Sequence, residues 1–227
     1  TLFGKNNIGG ALLVTTEVPD SEDYSGAVTA RVGNHGRADL KVSGNIPLIE
    51  DKLAARFSLN TTNLDGYLKS TYDGKKYGDE DRLGATARVL WQATDTFSAD
   101  GFYYWSRIDE RGAGLTCFFQ NPNASINTLT WPGYTAPASY QSQCTASQKD
   151  AEDHKVNING PTRFKMDSQL LGVTLNWEFD NFDIKSITAW SGQEDVQNAE
   201  DVDGTDILGA EGGGYSIQRA LKLSLDR

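Results

Sequence analysis

The chain has 227 residues, 38% of them apolar, with 23 glycines and a net charge of -10; its mean hydropathy is -0.50 and its isoelectric point lies near 4.7. The acidic balance argues against nucleic acid as a partner, and the sequence holds no run of about 18 apolar residues of the kind a transmembrane helix needs. A membrane protein built of strands stays open, because a transmembrane strand needs only about 9–11 residues and every second one can be polar.

Residues 1–19 stand apart from the rest of the chain. Thr1 to Gly10 is a glycine-punctuated turn, and Ala11 to Thr16 is a short apolar strand ended by Pro19. Lys5 is wrongly placed for a phosphate-binding loop, and a strand comes next where such a loop needs a helix. No basic region with an apolar run opens the chain, so the sequence reads as lacking a signal peptide. The chain starts inside a motif and stops at the close of a strand pattern, and both ends read as cuts.

Strand patterns then succeed one another. Tyr24, Gly26, Val28, Ala30 and Val32 share one phase, and Asn34-His35-Gly36 makes a tight turn into Ala38, Leu40, Val42, Gly44 and Ile46. Pro47 to Lys52 turns the chain into Leu53, Ala55, Phe57 and Leu59, and a polar connection runs from Leu64 to Asp81. The clearest hairpin comes next. Leu83, Ala85, Ala87, Val89 and Trp91 answer Phe97, Ala99, Gly101, Tyr103 and Trp105 across the turn Ala93–Thr96. A long insertion, Glu110 to Asp167, precedes Gln169, Leu171, Val173, Leu175, Trp177 and Phe179, the Asp180-Asn181 turn, and Phe182, Ile184, Ser186, Thr188 and Trp190. An acidic, glycine-rich loop over Gln193–Gly214 leads to a last strand over Tyr215–Leu225.

Eight strands result. In an up-and-down antiparallel order the short links Pro47–Lys52, Ala93–Thr96 and Asp180–Asn181 fall at one end and the long loops at the other, a habit of outer-membrane barrels. Arg31, Arg37, Asp39, Lys41, Arg56, Arg88, Asp100, Glu178, Asp183, Lys185 and Lys222 gather in one phase, with almost nothing charged in the other. The expected fold is all-β, an antiparallel up-and-down transmembrane β-barrel, partial at about eight strands. Residues 20–227 form its N-terminal part, and residues 1–19 are the C-terminal end of a preceding plug domain.

The opening motif, Thr1-Leu2-Phe3-Gly4-Lys5-Asn6-Asn7-Ile8-Gly9-Gly10-Ala11, resembles the end of the plug domain in the TonB-dependent outer-membrane receptors, particularly the siderophore-receptor branch. Asn7 stands where that family mostly has Thr. Gly33–Arg37, Pro47–Arg56, Asp65-Gly66-Tyr67 and Gly78–Asp81 are similar to its opening barrel strands. The resemblance implies a fragment of a roughly 22-stranded receptor, located in the cell outer membrane, for energy-coupled uptake of a ferric siderophore or similar scarce solute. Its partners would be outer-membrane lipid, that solute and an inner-membrane energy-transducing complex. The plug-motif residues carried over are Gly4, Lys5, Asn6, Gly9 and Gly10.

No reaction centre assembles from the sequence, so neither an enzyme nor a cofactor is expected. His35 and His154 lack metal-ligand spacing, and the carboxylates of the last loop lack that of a calcium loop. Cys117 and Cys144 form a disulfide within the long insertion if that loop faces an oxidising exterior, and are two unpaired cysteines otherwise. The loop aromatics Tyr67, Tyr72, Tyr77, Phe118, Phe119, Trp131, Tyr134 and Tyr140 are positioned either to touch a solute or to pack their own loops. Two other architectures compete: a self-contained eight-strand outer-membrane barrel and a soluble carbohydrate-binding β-sandwich.

Overall fold

The structure, a computed structural model, describes residues 15–112, 116, 130–131, 134–135, 140–158, 162–197 and 214–226. Its elements in chain order are β1 (Ser25–Val32), β2 (Ala38–Ile49), β3 (Leu53–Leu64), β4 (Leu68–Ser70), β5 (Lys76–Tyr77), β6 (Glu80–Thr94), β7 (Phe97–Glu110), β8 (Thr130–Trp131), β9 (Tyr134–Thr135), α1 (Tyr140–Glu152), β10 (Lys155–Val156), β11 (Phe164–Phe179), β12 (Phe182–Gln197) and β13 (Gly214–Asp226). The all-β, antiparallel expectation holds for the main body. Its eight-stranded sheet runs β1-β2-β3-β6-β7-β11-β12-β13.

The sheet is not a barrel. Its order is open, with β1 and β13 as its two edges, and it is neither closed nor strongly curled. Two physical reasons stand out. Strong curling needs bulges within the strands, whereas the described ladders shift register only at Pro47/Ile49 and Gln92/Thr94, both beside turns. An eight-stranded barrel also has an interior just wide enough for packed side chains. Here the face that would line it carries Arg56, Arg88, Asp100, Phe102 and Tyr104, and residues 15–17 lie across it. The partial transmembrane barrel is therefore corrected to an open antiparallel sheet. The TonB-receptor fragment and its energy-coupled uptake are corrected with it, since both rested on a barrel wall and the sheet is neither closed nor strongly curled. The self-contained eight-strand barrel fails on the same ground. A sandwich fails too, because the other described sheets have only three and two strands.

Strands also run further than their apolar runs. β6 starts at Glu80, β11 at Phe164, and β12 continues to Gln197, because the ladder is backbone-bonded and tolerates the polar residues near its ends. Tight turns close the other links. His35 and Gly36 adopt positive φ of 56° and 66°, and the Arg37 N–H donates to Asn34 O at 3.2 Å.

The polar connection and the long insertion hold a second unit. Strand β4 pairs antiparallel with β5 and parallel with β10, so the β3–β6 connection and the long insertion build one cap at the long-loop end of the sheet. Its core is Tyr77, Val156 and Ile158, with Leu68 packed against them. Gly66 is required there. A Cβ at that position would sit 2.8 Å from both the N and O of Tyr77, backbone atoms that cannot swing aside.

The segment before β1 is pinned by one buried residue. Asn45 Nδ2 donates to Asp20 O at 2.8 Å and Asp23 O at 2.7 Å, while its Oδ1 accepts from the Asp20 N–H at 2.9 Å. Asn45→Ala removes all three bonds and is expected to destabilise the native state by about 2–3 kcal/mol. Residues 18–24, outside the contacts of Thr16 and Glu17 with Arg88 and Arg56, should then become cleavable in limited proteolysis. Unchanged cleavage would show that the segment is held by other contacts.

Candidate functional site

The register sorts side chains onto two faces. Val89, Gly101, Val173 and Thr188 lie in one cross-strand row, and Trp91, Ala99, Leu175 and Ser186 in the next but one. Phe57, Ala87, Tyr103, Leu171 and Trp190 make the neighbouring row of the same face on the other side of Val89. This apolar face is uncovered. Val173 is 38% exposed, Leu171 45% and Trp177 49%. The described buried residues of the eight strands are Asn45, Ala54, Gly84 and Ser106, and all four sit in the opposite phase, on the polar face. A sheet in water shows the reverse arrangement.

Aromatic rings edge the apolar face along the short-turn end. Trp91 meets Phe97 edge-on at 6.4 Å, Phe97 meets Trp177 at 4.8 Å, Trp177 stacks on Phe179 at 6.0 Å and Phe179 on Phe182 at 4.8 Å. Such pairs contribute about 0.5–1.5 kcal/mol each beyond their burial. At the other end, ion pairs replace apolar groups: Arg163 Nε–Asp109 at 2.6 Å, Arg107–Asp109 at 3.5 Å, Arg37–Glu80 at 3.4 Å, and Arg82 with Glu110. Between these limits the apolar band is about 20–25 Å tall at about 3.3 Å per residue.

On the polar face, residues 15–17 cross the strands. Arg88 grips Asp100 through Nε at 2.9 Å and Nη2 at 2.6 Å, and its Nη1 donates to Thr16 O at 2.8 Å and Thr16 Oγ1 at 3.1 Å. Arg56 pairs with Glu17. Beside this crossing lie a cavity of about 220 Å³, lined by Lys41, Ser58 and Thr86 among others, and a groove of about 480 Å³ that includes Phe102, Tyr104 and Leu170.

Of the predicted loop aromatics, the side chains of Tyr67, Tyr72 and Tyr77 are described, and each has different surroundings. Tyr77 is 4% exposed and belongs to the cap core, its hydroxyl donating to Asp73 Oδ2 at 3.2 Å. Tyr72 is exposed, and Tyr67 lies with its ring 6.1 Å from that of His35. Trp131 and Tyr134 are register partners in the β8–β9 hairpin, and Tyr140 begins α1. Phe118, Phe119 and Cys117 fall outside the described residues, as do the motif positions Gly4, Lys5, Asn6, Gly9 and Gly10. Cys144 is 2% exposed and disulfide-bonded. Among the described residues, no group of three or more His, Cys, Asp or Glu is placed to hold a metal ion.

Asp73 organises the cap turn. Burial opposes its charge, but the Lys75 ammonium at 2.9 Å, the Lys75 N–H and the Ser70 hydroxyl outweigh burial and hold its pKa down at about 2, against 3.8 for the free carboxyl. A depressed carboxylate contributes stability that is complete above its unfolded value and disappears as pH falls through its folded value. Asp73→Asn is thus expected to loosen the cap by on the order of 1–2 kcal/mol at neutral pH. In hydrogen exchange of cap amides, the gap between wild type and variant should close between pH 3.8 and about 2. A gap independent of pH would refute the role.

No family model matches the chain, and no solved structure matches it.

Proposed function

We propose that this chain is a non-catalytic, lipid-seated binding sheet of the cell outer membrane. Its apolar face lies against hydrocarbon, while its polar face and cap meet water and small solutes. The observation that carries this is the inverted burial: the covered residues of the sheet are polar-face residues, and the apolar face is open. That face measures roughly 30 Å by 20–25 Å over the strands from β1 to β12, or about 700 Å². It is beyond the apolar patches that soluble monomers usually leave bare. Hydrocarbon is favoured as its occupant by the band's lack of charges and by its aromatic edge, since such rings settle at the lipid–water boundary. A disulfide at Cys144 suits an oxidising compartment.

Flotation with phosphatidylethanolamine–phosphatidylglycerol vesicles tests the proposal. The protein should float and stay bound through a high-salt wash, because a chain of charge -10 gains nothing electrostatic from an anionic surface. A monodisperse, detergent-free species that fails to float would overturn it. So would a dimer that hides the apolar face between two copies.

A further inference from the structure

We propose that the 220 Å³ cavity on the polar face is a binding site for a small oxyanion, a phosphate or polycarboxylate, and that Glu17 occupies it as a built-in competitor. Arg56 and Arg88 are direct cross-strand partners, a like-charge juxtaposition that destabilises a sheet unless anions meet it. Arg88 is satisfied internally by its four bonds to Asp100 and Thr16. Arg56 instead takes its counter-charge from Glu17, whose side chain is 74% exposed and arrives from a segment outside the ladder. Lys41 lines the same cavity, so three cations face it while one of the two nearby carboxylates, Asp100, is committed to Arg88.

Ser43, Ser58 and Thr86 complete the wall. The Ser58 and Thr86 hydroxyls are hydrogen-bonded to each other at 2.6 Å, which leaves the accepting hydroxyl's own hydrogen free to turn toward a ligand. A guanidinium with a planar fork, a neighbouring ammonium and hydroxyl donors form a set suited to a multiply charged oxyanion. The Glu17 carboxylate mimics one edge of such a ligand. Its exposure lets it be displaced without opening the sheet, and the site does not depend on what covers the apolar face.

Isothermal titration of the purified full chain with inorganic phosphate, and separately with citrate, tests this. Glu17→Gln keeps the shape of the side chain but removes the competing charge, and should strengthen binding about tenfold. Arg56→Gln should weaken it by about tenfold or more, as expected for the loss of a charge-assisted bond. Lys41→Gln, at an exposed position that leaves the Arg56 contact intact, should weaken binding in the same direction and covers a failure of Arg56→Gln to fold. Added salt should reduce affinity. Absence of heat with both anions in Glu17→Gln overturns the proposal, as does binding that is indifferent to Lys41→Gln and Arg56→Gln.

Discussion

Val173→Lys should release the protein from vesicles, lowering its partition by about 30-fold or more, because an ammonium near the middle of a lipid-facing surface costs about 2–4 kcal/mol. The position isolates that effect. Val173 is register-paired with Gly101 on one side and Thr188 on the other, and a Cβ at Gly101 would itself meet nothing within 4 Å, so the longer side chain has room. Folding should be retained, which circular dichroism in detergent checks. Thr29→Lys is the control. Thr29 pairs with Lys41 on the polar face and is exposed, so the same added charge should leave partition unchanged. Equal loss in both variants would mean that net charge, not the apolar face, governs association.

Ile158→Ala should have the largest effect on stability of any single truncation in the cap. Ile158 is 1% exposed and packs with Tyr77 and Val156, and removing a buried isoleucine side chain costs about 2–5 kcal/mol once the residual cavity is included. The backbone around it is also committed: Ser70 Oγ donates to Ile158 O at 3.5 Å, and the Thr71 N–H to Val156 O at 2.8 Å. Exchange should therefore accelerate at the amides of Lys69, Ser70 and Thr71 together, while the β6–β7 ladder keeps its protection. Tyr72→Ala is the comparison. Tyr72 is 60% exposed and should change stability by less than about 0.5 kcal/mol. If Ile158→Ala unfolds sheet and cap as one, the cap is not a separate cooperative unit.

Alternation made the strands legible, because a period of two assigns each side chain a face without knowledge of its neighbours. The row Val89, Gly101, Val173 emerges from three separately read strands. Closure was not legible in that way. Phase says which side a residue takes, but not whether β1 meets β13; the barrel came from link lengths and from a resemblance, and local pattern cannot check either. The cap was hidden for a related reason. β4, β5 and β10 have two or three residues each, too short for a period, and β10 pairs with the distant β4, the adjoining Thr71–Val156 bond spanning 85 residues.

The same distance in sequence concealed the polar-face cavity. Arg56 and Arg88 appeared as ordinary members of a charged phase, and nothing near either of them indicates that Glu17, 39 residues before Arg56, supplies the counter-charge. Asn45 looked like one more polar alternate. Its role came from the three bonds it makes to the chain before β1, an interaction that only the folded backbone brings together. Tyr72 and Tyr77 lie in one polar loop with the same side chain, yet one is exposed and the other is core, because only Tyr77 sits on a strand facing Val156 and Ile158.

The most direct measurement is fluorescence quenching by brominated phospholipids in a variant that retains Trp177 alone, with phenylalanine at 91, 105, 131 and 190. Trp177 stands at the aromatic edge between Phe97 and Phe179, and bromines on the acyl chains quench only rings that they touch. Quenching in brominated vesicles, with none in unbrominated ones, is the predicted result. Equal emission in both, from protein shown to be bound, would place the apolar face away from hydrocarbon and contradict the lipid-seated sheet.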